Sequence, residues 1–490
     1  MIAGHLMQQT LVVAGIALSS VSDGFIFGQM SGMLDALHNG RSTITLTDDD
    51  LSWIASTINV TCFCGFVLVG VVTEIFGRKR CVTVATIPGL ISWILTYLAQ
   101  DKTTLLISRF LAGISYGGIL FISYINIGEY MSPSIRFLSF NMLVCVGSLL
   151  GTMFGHTLSV LMDWRHVALV GLIPSFLSAI IPCFWVESPM WLAGKGRFEE
   201  CEKAFRALRT PGEPAEKELK LLLAVEKEKK KQYAQQTGKT PILFKIIKNA
   251  LKQRYFWKIF VLSLIINIYR VFAGRILFST LAITILQDIT GTSEILLFTL
   301  VTNGFAVLGA ALSCLLLQRL KMRQLLFSSG LIANLCLIAF GLVLFLKPDK
   351  DDTFNWVKVL LLASYLVIVG AGPYPVLESA LTEINPLELK TTLIFSMGII
   401  TGIIQFLVIK FTPAMFIIIG YYGVFFINAS VIFLCLAYMW FYAPETKGRT
   451  LQEIELFFKN DNLETSNILQ QEQMKELLGI ARTQADDTIV

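Results

Sequence analysis

Charge is scarce in this chain. Of its 490 residues only 15% are Asp, Glu, Lys or Arg, while 54% are hydrophobic. Soluble domains usually carry about a quarter charged residues. A soluble core of this composition would leave large apolar areas facing water. That argues against an ordinary soluble protein and makes a bilayer the expected solvent. Histidine is scarcer still, with four residues and none at metal-ligand spacing, so no metal site is expected. The nine cysteines are an odd number, and most lie inside apolar runs, as Cys62, Cys64 and Cys145 do. No disulfide framework follows. Gly238-Lys239-Thr240 lacks the upstream glycine of a phosphate loop, which argues against ATP hydrolysis. No nucleophile–base arrangement stands out either. The chain does not read as an enzyme, and no cofactor is expected.

What is abundant is apolar sequence in long runs. A bilayer core of about 30 Å needs about 20 apolar helical residues to cross it. Runs of that kind fall at 10–33, 52–73, 81–99, 105–129, 137–161 and 166–186, then at 257–287, 294–317, 325–346, 357–382, 391–410 and 414–442. The first is longer than the apolar core of a signal peptide and lacks a basic start, so it reads as a retained span. The pattern predicts an all-α membrane protein with twelve transmembrane helices in two six-helix halves. The expected division is an N-terminal bundle over 1–190, short cytoplasmic linker helices over 191–255, a C-terminal bundle over 256–442 and a cytoplasmic tail over 443–490. Lys and Arg cluster in alternate loops, for example Arg78-Lys79-Arg80, Arg136, Arg319 with Lys321 and Arg323, and Lys447 with Arg449. Cytoplasmic loops carry such an excess, so both termini are expected in the cytoplasm. The net charge of +5 encodes topology in this way, and no nucleic-acid partner is expected. The C-terminal Thr488-Ile489-Val490 has the form of a ligand for a domain that captures a chain terminus by β-augmentation.

Glycines recur every four residues at Gly24, Gly28 and Gly32, at Gly147, Gly151 and Gly155, and at Gly398 and Gly402. Small residues at that spacing let helix backbones approach closely. The sequons at Asn59 and Asn428 fall inside spans and are not expected to carry glycans.

Several stretches resemble the sugar porters of the major facilitator superfamily. Pro444-Glu445-Thr446-Lys447-Gly448-Arg449 is similar to that family's ending of the last span. Glu187-Ser188-Pro189-Met190-Trp191-Leu192, with Arg197 after it, resembles the motif after span six. Gly77-Arg78-Lys79 resembles the loop after span two, and Arg109 with Gly113 resembles the family's span four. Glu129 and Arg136 match an acid–base spacing at the end of that span. Leu46-Thr47 followed by Ser52-Trp53-Ile54 looks more narrowly like insect trehalose-transporter-like members. The resemblance implies the major facilitator fold and a plasma-membrane carrier. It also implies a charge network at helix ends that controls gating: Arg78, Arg109, Glu129, Arg136, Glu187, Arg197, Arg323, Glu383 and Glu445. Glu129 would pair there with Arg78 or Arg197.

The family's sugar-binding residues are not carried over intact. Aligning span seven on Gly274 places Arg270 and Val271 where two glutamines are usual, and Ile276 where an asparagine is usual. Gly372-Pro373-Tyr374-Pro375 keeps the pattern of span ten, but Val376 stands where a tryptophan is usual. Arginine only donates hydrogen bonds, whereas an amide donates and accepts. The residues expected to bind substrate are Asp23, Arg270, Gly274, Arg275, Asn303 and Tyr374. Asp23, Arg270, Arg275 and Glu378 lie inside spans, where a charge costs about 2.5–3.5 kcal/mol on insertion scales. Three readings stay open. Asp23 pairs with Arg275 or Arg270; or an arginine binds an anionic substrate; or Asp23 or Glu378 takes up protons.

The expected function is a carrier of a sugar, trehalose or a hexose, working by alternating access and facilitated diffusion. The alternatives are a carrier of an anionic or non-sugar metabolite using Arg270 and Arg275, a proton-coupled symporter, and a non-transporting sugar sensor.

Overall fold

The computed structural model describes residues 2–40, 44–131, 136–209, most of 212–227, 254–291, 295–346, 352–384 and 390–445, together with 447 and 458. The described chain is helical throughout. Its long helices are α1 (Ile2–His38), α2 (Asp48–Phe76), α3 (Arg78–Leu98) and α4 (Lys102–Tyr130). α5 (Arg136–Phe140) passes through a π-helical stretch, Asn141–Val146, into α6 (Gly147–Leu161), and α7 (Trp164–Ile180) follows. Two short helices, α8 (Pro189–Gly194) and α9 (Phe198–Leu208), lie between the halves. The second half holds α10 (Arg254–Phe272), α11 (Arg275–Thr290), α12 (Ile295–Arg319), α13 (Met322–Leu346), α14 (Asp352–Ala371), α15 (Pro373–Glu383) and α16 (Lys390–Tyr442).

Where the spans break differs from the sequence reading. The runs 257–287 and 357–382 read as single spans, yet each is divided. Gly274 takes a left-handed φ of +79° and separates α10 from α11. Gly372 and Pro373 separate α14 from α15. The last two spans were expected to part near residues 411–413. Instead helix continues through Pro413 and breaks at Gly420, whose φ is +72°. At 53 residues, α16 would measure roughly 80 Å as one rod, far beyond a bilayer core. Read as two crossings joined at Gly420, it completes six spans per half. A proline inside a membrane helix is tolerated because neighbours re-satisfy the freed backbone groups, whereas a left-handed residue ends a helix outright.

The outer surface is apolar, with Leu98, Phe184, Leu335, Ile417 and Phe441 all exposed. That is the face a protein turns to hydrocarbon. Inside, the glycine stripes act as read. A Cβ on Gly24 would stand 1.8 Å from the Ser148 carbonyl oxygen, and one on Gly151 would stand 2.0 Å from that of Val21. α1 and α6 therefore meet backbone to backbone. An unforeseen second pair, Gly113 and Gly117 against Thr61 and Cys62, joins α4 to α2 in the same way.

Contacts between the halves run at several depths. The Ile283 amide donates to Ser31 Oγ at 3.1 Å, joining α11 to α1. Lys410 of α16 reaches α2, where its Nζ donates to Asp49 Oδ1 at 2.5 Å and Ser52 Oγ at 2.8 Å and lies 4.5 Å from the Trp53 ring centroid. Gly402 packs on the Asn59 backbone.

One device occurs in both halves. Glu187 accepts the backbone N–H groups of Arg78 (2.8 Å) and Lys79 (3.2 Å), closing the start of α3. Glu445 accepts those of Met322 (3.2 Å) and Arg323 (3.0 Å), closing the start of α13. A carboxylate at a helix N-terminus satisfies orphan donors and complements the helix dipole.

Candidate substrate cavity

The helix breaks meet at a cavity of about 180 Å³ between the halves. α1, α2, α4 and α6 of the first half line it, facing α10, α11, α15 and α16 of the second. Of the residues expected to bind substrate, Asp23, Arg270, Arg275 and Tyr374 all border it. Asn303 does not. It lines a smaller cavity of about 70 Å³ that shares Cys145, Arg275, Ser279 and Tyr374 with the first. There its Oδ1 lies 3.1 Å from His156 Nδ1, while the other ring nitrogen lies 2.8 Å from the Ser279 carbonyl. Gly274 contributes the break in the helix rather than a contact surface.

Of the pairings read for Asp23, neither is found. Arg270 pairs with Glu378 instead. Its Nη1 also donates to Asn267 Oδ1 at 3.0 Å, and its guanidinium lies 5.3 Å from the Tyr374 ring centroid. Glu378 is claimed twice, because Tyr124 OH donates to its second oxygen at 2.8 Å. Tyr124 lies in the first half, on α4, and Glu378 in the second, on α15, so this hydrogen bond crosses the cavity. Burying one ion is far costlier than burying a hydrogen-bonded pair, and Glu378 is the acid within reach of Arg270.

Arg275 is held differently. Its Nη2 donates to the Cys145 carbonyl at 3.3 Å, and its guanidinium stacks 4.8 Å from the centroid of the same Tyr374 ring. No described carboxylate pairs with it. Asp23 is only 5% exposed, and its Oδ1 has no hydrogen-bond partner among the described residues. The cavity thus holds one closed ion pair, one guanidinium with no described carboxylate bonded to it, and one buried carboxyl oxygen without a partner among the described residues.

Gln405, Thr401, Tyr116 and Tyr124 also line the cavity, and none was singled out from sequence. Gln405 could have been found as the lone amide in the run 391–410. The tyrosines carry no such signal, since aromatic residues are common in every span.

The residues expected in a charge network divide into separate places. Arg78 and Glu129 form a bidentate pair, with Nε–O distances of 3.0 and 2.9 Å and an Nη2–Oε1 distance of 2.8 Å. Ser188 donates to the same carboxylate. Arg197 does not take part, because it faces solvent and pairs with Glu200 one turn along α9. Arg109 stands 20 residues from Glu129 on one helix, roughly 30 Å away, and cannot join that cluster. It is fully buried near the other end of α4, donating to Thr96, Ser108 and Gln29. Arg323 donates to the Ala443 and Trp440 carbonyls beside Glu445. Arg136 opens α5 and Glu383 ends α15, but their side chains fall outside the described residues, as does the terminal Thr488-Ile489-Val490.

Comparison with known proteins agrees with this architecture. Residues 10–458 match the profile of the family described as sugar (and other) transporter. The facilitated trehalose transporter Tret1 of Apis mellifera ligustica is 25% identical over 467 residues, covering 94% of this chain and 90% of that protein. The facilitated trehalose transporter Tret1 of Drosophila mojavensis is 25% identical over 458 residues, and there the match spans 51% of the longer relative. Among solved structures, the major facilitator proton:xylose symporter XylE bound to 6-bromo-6-deoxy-D-glucose superposes with a TM-score of 0.74 at 16% identity. That match covers 93% of this chain and 100% of that one. At that identity the likeness speaks for the fold, which is the major facilitator fold.

Proposed function

This chain belongs to the sugar (and other) transporter family, and we propose on that premise that it carries a sugar across a membrane by alternating access. It is a multi-pass membrane transport protein rather than an enzyme. The observation that carries the reading is the cavity built from both halves, with polar groups from α1, α4, α10, α11 and α15 converging inside an apolar shell. A site shared by two bundles changes its exposure when one bundle rocks against the other. Substrate that contacts the two states differently shifts their populations.

Facilitated diffusion is the mode in the names of the trehalose transporters that this chain resembles, and trehalose or a hexose is the sugar we propose. Residence in the plasma membrane with cytoplasmic termini rests on the family resemblance and on the alternation of Lys and Arg between loops. In this orientation the Arg78–Glu129 pair with Glu187, and Arg323 with Glu445, stiffen the cytoplasmic ends of the two halves. Each cluster lies within one half, so it travels with its bundle during rocking. Tyr124–Glu378 and Lys410–Asp49 join the halves, as do Ser31–Ile283, Arg275–Cys145 and the bonds of His156, and it is among such contacts that rocking breaks bonds.

Counterflow in proteoliposomes with labelled trehalose, glucose and acidic sugars tests the reading. Saturable exchange of at least one sugar is expected. Exchange of none, by protein that remains monodisperse, overturns it.

A further inference from the structure

The central cavity is more specific than a neutral sugar requires. Two features beyond its hydroxyl-binding groups point to a negative charge on the substrate. The first is a half-helix start. α11 begins at Arg275, which lines the cavity, and its N-cap, Gly274, offers no side-chain hydrogen bond. The start of α15 offers little, because Pro373 and Pro375 have no N–H and the Val376 amide donates to the Gly372 carbonyl. The Arg275 guanidinium lies 4.8 Å from the centroid of the Tyr374 ring. A helix start leaves orphan N–H groups and a partial positive charge of about one half. Interrupted membrane helices use such ends to hold anionic groups of substrates.

The second feature is the set of open polar groups. Glu378 is bonded to Arg270 and to Tyr124, so one carboxylate faces the two guanidinium groups of Arg270 and Arg275. Arg275 has one hydrogen bond to a backbone carbonyl and no described carboxylate bonded to it. Across the cavity Asp23, 95% buried by its 5% exposure, presents an oxygen with no hydrogen-bond partner among the described residues. A bare anion would leave the Asp23 oxygen without a donor. A molecule with a carboxylate at one end and hydroxyl donors at the other satisfies both: its hydroxyls donate to Asp23, and its carboxylate accepts from Arg275.

We propose that the preferred substrate is an acidic sugar, a polyhydroxylated monocarboxylate such as a uronate, with Arg275 as the residue that determines specificity. This rests on the sugar-carrier reading and narrows it. Arg270 is not the clamp, because its charge is matched by Glu378. A carboxylate suits the single open guanidinium, which can take both of its oxygens in a fork.

The test is counterflow of labelled glucuronate, glucose and trehalose by the full chain in proteoliposomes, with and without an imposed membrane potential. Glucuronate is expected to exchange with a KM about tenfold or more below that of glucose, because charge-assisted hydrogen bonds are the stronger ones. Net glucuronate entry should quicken when the vesicle interior is made positive, a readout that needs no variant. Arg275→Gln should raise the glucuronate KM by about 30-fold or more, well beyond any change in the glucose KM, and Arg275→Lys should recover part of the loss. If glucose or trehalose exchanges and glucuronate does not, the acidic-sugar assignment falls and the sugar-carrier reading stands. If net glucuronate entry is indifferent to voltage, or its KM is indifferent to Arg275→Gln, the assignment of the carboxylate to Arg275 falls. If no sugar of either kind exchanges, both readings fall.

Discussion

Glu378 holds two partners from two helices, and one of them, Tyr124, belongs to the opposite half. Replacing it by glutamine leaves Arg270 as a buried charge without its acid. Breaking one partner of a buried pair costs about 3–5 kcal/mol, whereas removing both charges is often close to neutral. Glu378→Gln should therefore lower the melting temperature in detergent clearly. Adding Arg270→Gln should return it most of the way, as read by a thiol-dye or tryptophan thermal ramp. A double variant less stable than the single one would refute the account. The sequence made these residues visible, because any charge inside an apolar run stands out. It did not reveal their pairing. Arg270 and Glu378 lie 108 residues apart, and Asp23 was an equally plausible acid. Choosing among them needs the facing of helices, which an apolar run with weak periodicity does not encode. Arg109 illustrates the same limit: its motif was legible, but its place near the far end of α4 follows only from the direction of the chain.

The helices themselves were far more legible. Length and hydropathy located the long apolar helices, though not the point that divides the last pair, and the glycine stripes marked the α1–α6 contact. Gly151→Leu should abolish stable folding, since even a Cβ there would stand 2.0 Å from a backbone oxygen that cannot move without its helix. Gly70→Leu, at a position with nothing within 4 Å, should be tolerated. Monodispersity after solubilisation compares the two, and equal behaviour would argue against backbone-close packing. The breaks were harder to read. The gap read at 411–413 lies within α16, while Gly420, Gly274 and the Gly372-Pro373 step interrupt. Glycine is frequent in membrane helices, so a single one carries little information about φ. The breaks matter because they set the positions of Arg275 and Tyr374 on the cavity wall.

For the molecule as a whole, each half is bound internally at its helix ends by bonds that do not reach the other half. The carboxylate caps show this best. Glu187 ties the end of the first six spans back to α3, and Glu445 ties the end of the second six back to α13. Each set of six spans is thereby closed on itself, its last segment fastened to its own third span and not to the other set. That makes the gene divisible. Two open reading frames, one ending and the other starting within 228–253, should yield polypeptides that insert independently and find each other in the membrane. Co-purification through a tag on one fragment, followed by recovered sugar exchange, would register the reunion. Fragments that are degraded unless translated as one chain would mean that the caps do not make the halves autonomous. If the fragments do reunite, the carrier is a dimer of unlike modules that happen to share a ribosome.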